Sequence, residues 1–77
     1  MKLNELKRGE SAKILKMDLS ASYTKELIAL GFSYDNVVLF ERNAPLGDPQ
    51  QYYVAGNYIA IRKKDACKIE VEKIWKK

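Results

Sequence analysis

Only one stretch of this 77-residue chain has the apolar spacing of a helix. Tyr23, Leu27 and Leu30 recur at i, i+4 and i+7, which places them on one face of a helix predicted over residues 22–30. The other apolar residues occur in short runs. The chain must therefore build its core from several strands and a single helix.

Both ends of this helix have recognisable signals. Ser20 or Ser22 can cap its start by accepting a hydrogen bond from an unpaired backbone N–H. Gly31 stands where a left-handed residue commonly ends a helix, and Phe32 follows at the position that folds back on Leu27. The spacing predicts a Schellman ending.

Five short apolar runs have the length and residue types of strands. They span residues 11–17, 37–40, 52–55, 58–62 and 69–72. Residues 63–67 leave room for one helical or 3₁₀ turn before the last strand. Ile74 and Trp75 are expected to close the end of the domain.

Residues 56–57, Gly-Asn, are predicted to form a two-residue hairpin turn. Such a turn would set Val54 opposite Ile59 and Tyr52 opposite Ile61. We expect this face of the hairpin to enter the core.

Each predicted strand has one apolar face, and a flat sheet in so short a chain could not cover all of them. We therefore expect an all-β fold with one inserted helix: a small, SH3-like or OB-like, partly open β-barrel with the helix closing one side. Residues 1–77 form one domain in this interpretation, and residues 73–77 are expected to be a frayed tail.

Composition limits the possible functions. Apolar residues make up 47% and charged residues 31% of the chain, which is typical of a folded globular domain. No apolar run is long enough to span a membrane and no leader is visible, so a cytoplasmic location is expected. A single cysteine and the absence of histidine exclude an internal disulfide, Cys/His metal sites and Ser–His or Cys–His catalytic pairs. We expect no enzyme activity, cofactor or metal.

The net charge of +4 leaves the type of partner open. Basic residues cluster within 7–16, 62–68 and 76–77, where they could meet phosphates or an acidic protein surface. Acidic residues are interleaved with them, as on an ordinary solvated surface. Asp and Glu are scattered, although Glu70 and Glu72 share one strand face. A weak oxygen-ligand metal site and a solvated face are both compatible with that pair.

Residues 44–49, Ala-Pro-Leu-Gly-Asp-Pro, form a loop stiffened by two prolines. Asp48 can accept hydrogen bonds from nearby amides as an Asx turn. Leu46, between Pro45 and Gly47, is expected to be exposed. The loop could be purely structural or could serve recognition, because a preordered leucine loses little entropy on docking.

Two further features have alternative interpretations. Tyr53 and Tyr58 are expected on the hairpin face opposite the core, near the basic residues 62–64, where they could stack on bases, anchor a protein partner or be covered by another part of the chain. Cys67 is expected to be a small buried hydrophobe, with a reactive thiol as the alternative.

Three segments resemble a known family. They are Leu-Ile-Ala-Leu-Gly-Phe at 27–32, Ala-Pro-Leu-Gly-Asp-Pro at 44–49, and Ile-Ala-Ile-Arg-Lys-Lys-Asp-Ala at 59–66 leading to Ile69 and Val71. In order and spacing they resemble the bacterial ferrous iron transport protein A (FeoA) family over essentially the whole chain. The resemblance implies an SH3-like barrel without catalytic residues that binds the cytoplasmic part of the GTPase-coupled ferrous iron permease, ferrous iron transport protein B.

The resemblance thus implies a cytoplasmic binding module for ferrous iron uptake, associated with the membrane only through the permease. The alternative is a small basic β-barrel that binds RNA or single-stranded DNA. The residues proposed to bind the protein partner are Thr24, Lys25, Pro45, Leu46, Gly47, Asp48, Pro49, Tyr53 and Tyr58.

Overall fold

The computed structural model describes residues 1–74, which form a five-stranded antiparallel sheet and two helices after a short 3₁₀ turn. In chain order the elements are the 3₁₀ turn Leu3–Glu5, β1 Ser11–Met17, α1 Ala21–Ala29, β2 Val37–Asn43, β3 Gln50–Val54, β4 Asn57–Ile61, α2 Lys63–Ala66 and β5 Ile69–Lys73. The predicted helix and all five strands are confirmed within a few residues. Neither helix of the described residues is long and apolar enough to cross a membrane.

The strands are arranged in the order β4-β3-β2-β1-β5, so the last two strands of the chain lie at opposite edges. In a flat sheet these edges would be about 19 Å apart, from four strand spacings of about 4.8 Å. They are joined by residues 62–68, and the four residues of α2 advance the chain by only about 6 Å. So short a connection suits a sheet that curls and brings its edges toward each other, although β4 and β5 do not pair.

The concave side of the curled sheet holds the hydrophobic core. Alternate residues of each strand face inward, and α1 contributes Leu27 to the same cluster. The largest fully buried side chains are Tyr52, Phe32, Leu3, Ile14, Leu27, Ile61, Ile69, Val38, Val54 and Val71. Burial raises the pKa of the Tyr52 phenol, whose hydroxyl donates a hydrogen bond to Oε1 of Gln50 at 2.8 Å.

The two ends of α1 form as the sequence predicts. Ser20, not Ser22, is the N-cap, and its hydroxyl oxygen accepts a hydrogen bond from the N–H of Tyr23 at 3.2 Å. At the other end Gly31 has a φ of 95°. The N–H of Phe32 donates to the carbonyl of Leu27 at 2.9 Å, which is the long bond of a Schellman motif.

One residue of the predicted apolar helix face is on the surface. Leu27 is buried and Tyr23 is half-buried, but Leu30 is 45% exposed. Leu30 is the C-cap residue, where the chain leaves the helix toward Gly31. Its carbonyl accepts a hydrogen bond from Nδ2 of Asn57 at 2.8 Å, so the backbone of Leu30 is anchored while its side chain stays outside.

The position of the hairpin turn was predicted one residue too late. The turn is Ala55-Gly56, because Val54 pairs with Asn57, Tyr53 with Tyr58 and Tyr52 with Ile59. Ala55 and Gly56 both have positive φ, 50° and 83°, as a type I′ turn requires. Each residue of β3 therefore pairs with a β4 residue two positions earlier than predicted. Because side chains alternate with a period of two, the same residues still share each face of the hairpin, and Tyr52, Val54, Ile59 and Ile61 are buried as expected.

Two other predictions concern the end of the chain. Cys67 is exposed rather than buried, because it is the C-cap of α2 and its thiol lies against the carbonyl of Lys64 at 3.1 Å. Ile74 is 36% exposed. Lys73 pairs with Ala12 as the last residue of β5, so the expectation of a frayed tail that begins at residue 73 was wrong for Lys73. The rest of that expectation from residue 75 onward, including the role of Trp75, lies outside the described residues.

Candidate partner-binding site

The loop at residues 44–49 is held by three hydrogen bonds that leave its tip free. The N–H of Ala44 donates to the carbonyl of Pro49 at 2.9 Å, and the N–H of Gly47 donates to the carbonyl of Ala44 at 2.7 Å. Leu46, at the tip, is 97% exposed. A nearly fully exposed leucine on a closed, hydrogen-bonded loop is costly to keep in water, and it is suited to docking.

The third bond joins the loop to a distant part of the chain. Oδ1 of Asp48 accepts from the N–H of Lys63 at 3.0 Å, across 15 residues of sequence. The sequence allowed an Asx turn to nearby amides, whereas the hydrogen bond found here reaches an amide 15 residues away. The N–H of Lys63 is free to donate because Lys63 is the first residue of α2 and no side chain of the cap residue Arg62 bonds there. The peptide bond between Asp48 and Pro49 is cis.

Tyr53 and Tyr58 form a pair on the convex side of the sheet. They lie directly opposite each other on β3 and β4, with ring centroids 5.0 Å apart and ring planes at 60°. Tyr58 is 64% exposed and Tyr53 is 38% exposed. The rings pack on each other edge to face and present one apolar ridge rather than two parallel stacking surfaces.

Helix α1 carries the remaining predicted site residues. Lys25 is exposed and Thr24 is half-buried. Their neighbour Tyr23 has a raised pKa because its phenol is partly buried and because the carboxylates of Asp65 and Glu26 are close. Asp65 belongs to α2, so α2 lies beside the start of α1 as well as beside the loop.

The predicted site residues therefore do not form one compact patch. The loop precedes β3, and Tyr53 lies three residues beyond the start of that strand, about 10 Å along it at the usual rise of about 3.4 Å per residue. Helix α2 is near both other parts, because the N–H of Lys63 bonds Asp48 of the loop and the carboxylate of Asp65 contributes to the raised pKa of Tyr23 in α1.

Sequence reasoning did not identify Lys63 or Asn57 as positioning residues. The amide of Lys63 anchors the loop, and the side chain of Asn57 anchors the end of α1. Both contacts join residues far apart in sequence, so no local pattern could signal them.

The charged residues add no cluster of metal ligands. Within residues 1–74 there is no group of three or more Asp, Glu, Cys or His side chains placed to hold an ion. Glu70 and Glu72 are both exposed on β5, as predicted, and Glu70 lies 3.6 Å from the ammonium of Lys2. The side chains of Arg62, Lys63 and Lys64 are also exposed.

Comparison with known proteins agrees with this architecture. A model of the FeoA domain family matches residues 1–73. The chain belongs to the FeoA domain family. The family resemblance inferred from residues 27–32, 44–49 and 59–66 is confirmed.

Several relatives extend the comparison. The chain is 34% identical, over 74 residues, to a fusion of Fe(2+) transport protein A and the Fe(2+) transporter FeoB in Porphyromonas gingivalis; the match covers 96% of this chain and 9% of that protein. The solution structure of FeoA from Chlorobium tepidum has a TM-score of 0.93 at 31% identity, covering 97% of this chain and 71% of that one.

The fold class also has a named counterpart. FeoA of Stenotrophomonas maltophilia, described as a prokaryotic SH3 domain protein, has a TM-score of 0.75 at 29% identity, covering 94% of this chain and 89% of that one. The predicted SH3-like fold is confirmed, with a curled sheet that stays open between β4 and β5.

Proposed function

We propose that this protein is a cytoplasmic accessory module of ferrous iron uptake that binds the cytoplasmic part of a FeoB-type permease. In this role it approaches the membrane through the permease, carries out no catalytic step and needs no cofactor. Docking uses the exposed Leu46 loop together with the first turn of α1.

The observation that carries this proposal is the fused relative. In the Porphyromonas gingivalis protein, a segment 34% identical to this chain is covalently joined to the transporter FeoB. Fusion holds two modules at high effective concentration, which is useful where the separate modules act together. Where a member of the family is not fused to the transporter, binding would take the place of the covalent link.

The loop supplies a physical basis for that binding. Three hydrogen bonds restrain residues 44–49, so little conformational entropy remains to be lost when Leu46 enters a pocket. Almost the entire Leu46 side chain is available for burial. Complete burial of a leucine contributes about 1.5–3 kcal/mol, which corresponds to roughly a tenfold to hundredfold change in affinity.

A calorimetric titration tests the proposal. The intact protein and its Leu46→Asp variant are titrated against the purified cytoplasmic region of FeoB from the same organism. We expect the variant to bind at least about tenfold more weakly, because aspartate cannot enter an apolar pocket without a large desolvation cost. Its melting temperature should stay within a few degrees of the parent, since exposed substitutions change stability by about 0.5 kcal/mol or less.

Leu15→Asp is the matched control. Leu15 is also an exposed leucine, at 45%, but it lies on β1 away from the loop. This control should bind like the parent. If the parent protein does not bind FeoB, the proposed partner is wrong. If the Leu46→Asp and Leu15→Asp variants bind FeoB equally well, the loop is not the docking site.

A further inference from the structure

The two edge strands of the sheet differ in whether another segment of the chain pairs with their outer side. At the β5 edge, Val71 exchanges backbone hydrogen bonds with Met1, with its N–H donating to the Met1 carbonyl at 2.8 Å, and Lys2 bridges Glu70. At the other edge, β4 has β3 on one side and, within residues 1–74, no strand on its other side. Among the residues that the structure describes, one edge is therefore covered and the other is open.

The open edge also lacks the usual protection. Sheet edges are commonly guarded by proline, by charged residues or by a bulge. β4 reads Asn-Tyr-Ile-Ala-Ile over residues 57–61, and its register with β3 is continuous. By contrast β5 contains three charged residues, and its register with β1 shifts between Ile14 and Lys16.

Hairpin geometry identifies the free backbone groups. In a two-residue hairpin the pair next to the turn, Val54 and Asn57, exchanges hydrogen bonds, and hydrogen-bonded pairs then alternate along the ladder. Asn57, Ile59 and Ile61 therefore point their backbone groups toward β3. The N–H and C=O of Tyr58 and Ala60 point away from it, and both residues are exposed.

A basic segment continues this edge. Arg62 keeps an extended backbone, with φ −68° and ψ 146°, before the chain turns into α2. The exposed side chains of Arg62, Lys63 and Lys64 lie at this end. Within residues 1–74 no carboxylate forms an ion pair with the side chains of Arg62, Lys63 or Lys64, although Oδ1 of Asp48 accepts a hydrogen bond from the backbone N–H of Lys63.

We propose that the β4 edge is a strand-addition site for an extended segment of a protein partner that runs antiparallel to β4 and carries acidic residues at its N-terminal end. Two hydrogen-bonded pairs, at Tyr58 and Ala60, hold its backbone. Antiparallel addition brings the N-terminal end of the segment to Arg62–Lys64, where carboxylates meet the positive charge. The backbone groups of Tyr58 and Ala60 are distinct from the Leu46 loop, although the basic segment adjoins that loop at Lys63, and the proposal does not depend on the partner being FeoB.

A second copy of this chain fits the edge less well. Pairing two β4 strands antiparallel about Ile59 sets Arg62 opposite the turn residue Gly56, so the basic segments stay without anionic partners. The acidic strand β5 of another copy is unavailable, because Met1 and Lys2 already occupy its edge. Charge complementarity thus favours a different, acidic chain.

The probe is a synthetic peptide, acetyl-Glu-Glu-Glu-Val-Thr-Val-Thr-Val-amide. In the proposed register its threonines lie opposite Ala60 and Tyr58, and its valines extend the apolar side formed by Ile59 and Ile61. Amide hydrogen exchange is followed by NMR on the full chain. We expect saturating peptide to slow exchange at Tyr58 and Ala60 by about tenfold or more, while the amides of Ile59 and Ile61, already bonded to β3, change little.

Two control peptides isolate the mechanism. The same peptide N-methylated at both threonines loses the N–H groups that face β4, and it should bind at least about tenfold more weakly. The reversed sequence has the same composition but places its carboxylates at the far end of β4. It should also bind more weakly, and the difference should shrink as salt is added.

Protein variants give an independent test. Ala60→Pro removes the outward N–H without disturbing the β3 ladder, whereas Ala60→Val keeps it. Binding should be lost in the first variant and retained in the second; the N-methylated peptide decides the question if Ala60→Pro does not fold. The proposal is overturned if millimolar peptide leaves Tyr58 and Ala60 unprotected, if the N-methylated or reversed peptide binds equally well, or if the same protection appears in the protein alone as its concentration rises, which would make a second copy the occupant.

Discussion

Gly31 and Ala55 are in direct contact, although 23 residues separate them in sequence. A Cβ built on Gly31 would lie 2.6 Å from the Cβ of Ala55. Both residues have positive φ, 95° and 50°, so the end of α1 and the β3–β4 turn meet at their tightest points. The hydrogen bond from Nδ2 of Asn57 to the carbonyl of Leu30 holds the same two segments together. Helix end and hairpin turn are therefore one structural unit.

The first prediction concerns this contact between the end of α1 and the β3–β4 turn. Gly31→Ala should lower the free energy of unfolding by about 2–5 kcal/mol, combining about 1–2 for the left-handed backbone with about 1–3 for the forced contact. Gly9→Ala is the control, since Gly9 has a φ of 86° but no atom within 4 Å of a built Cβ. Gly9→Ala should lower the free energy of unfolding only by the contribution of about 1–2 kcal/mol that belongs to the left-handed backbone. Urea unfolding measures both.

A double-mutant cycle separates the two contributions. Ala55→Gly removes the methyl group that a residue 31 side chain would strike. Combined with Gly31→Ala, it should restore the part of the loss that exceeds the Gly9→Ala cost. Strictly additive effects would show that the 2.6 Å approach does not limit stability.

The second prediction concerns the helix face. Leu27→Ala should destabilise by about 2–5 kcal/mol, because Leu27 is 2% exposed and its truncation leaves a cavity in the core. Leu30→Ala, four-fifths of a turn further along α1 and 45% exposed, should change stability by about 0.5 kcal/mol. Thermal unfolding of the two variants compares them. Similar losses would contradict the burial of one leucine and the exposure of the other.

The third prediction concerns the anchor of the Leu46 loop. Asp48→Ala removes the acceptor for the Lys63 amide, which is bonded at 3.0 Å. As with other side chains that satisfy the first amide of a helix, we expect a cost of about 0.5–2 kcal/mol. Asp48→Asn keeps an acceptor oxygen and should stay near the parent. The exchange rate of the Lys63 amide is the direct measurement, and equal rates in both variants would show that the bond does not form in solution.

The fourth prediction concerns Glu10. Its pKa lies below the ordinary value because its carboxylate bonds the ammonium of Lys73 at 2.6 Å and the N–H of Lys7 at 2.7 Å. A lowered pKa in the folded state means that the stabilisation is present at neutral pH and is lost as the pH falls through the folded pKa. Lys73→Gln should raise the Glu10 pKa toward its ordinary value, as followed by NMR titration.

Lys2→Gln serves as the control for that titration. Lys2 pairs with Glu70 and is not among the groups that lower the Glu10 pKa. It should leave the Glu10 titration unchanged. If Lys73→Gln has no larger effect than Lys2→Gln, the Glu10–Lys73 pair does not persist in solution.

The fifth prediction concerns the alternative function. We expect no measurable binding to short single-stranded RNA or DNA at low salt, because the Tyr53 and Tyr58 rings pack on each other at 60° instead of offering parallel faces to bases. Fluorescence anisotropy with labelled oligonucleotides checks this. Affinity that falls with salt at a slope of about −0.7 per phosphate would instead favour nucleic-acid binding.

Much of the secondary structure follows from short-range rules. The strand at residues 11–17 and the end of α1 at Gly31 were predictable because strand alternation and the Schellman motif depend on residues no more than six positions apart. The exposure of Leu46 belongs with these features, since two flanking prolines restrict the loop locally.

The features that sequence alone did not determine all join distant segments. The turn falls at Ala55-Gly56 rather than Gly56-Asn57, a shift that frees the side chain of Asn57 to bond Leu30. Asp48 bonds Lys63 across 15 residues. Periodicity assigns a residue to a face, but it carries no information about which distant backbone group will lack a partner once the sheet has curled.

The open edge at β4 illustrates the same division. Its apolar, uncharged sequence is visible in residues 57–61, yet an identical run in the middle of a sheet would have no free backbone groups. Only the strand order β4-β3-β2-β1-β5 places Tyr58 and Ala60 at an edge. The sequence determined the local conformation and the faces of the strands, and the tertiary structure decided which hydrogen-bonding groups remain available, because that depends on which segments become neighbours.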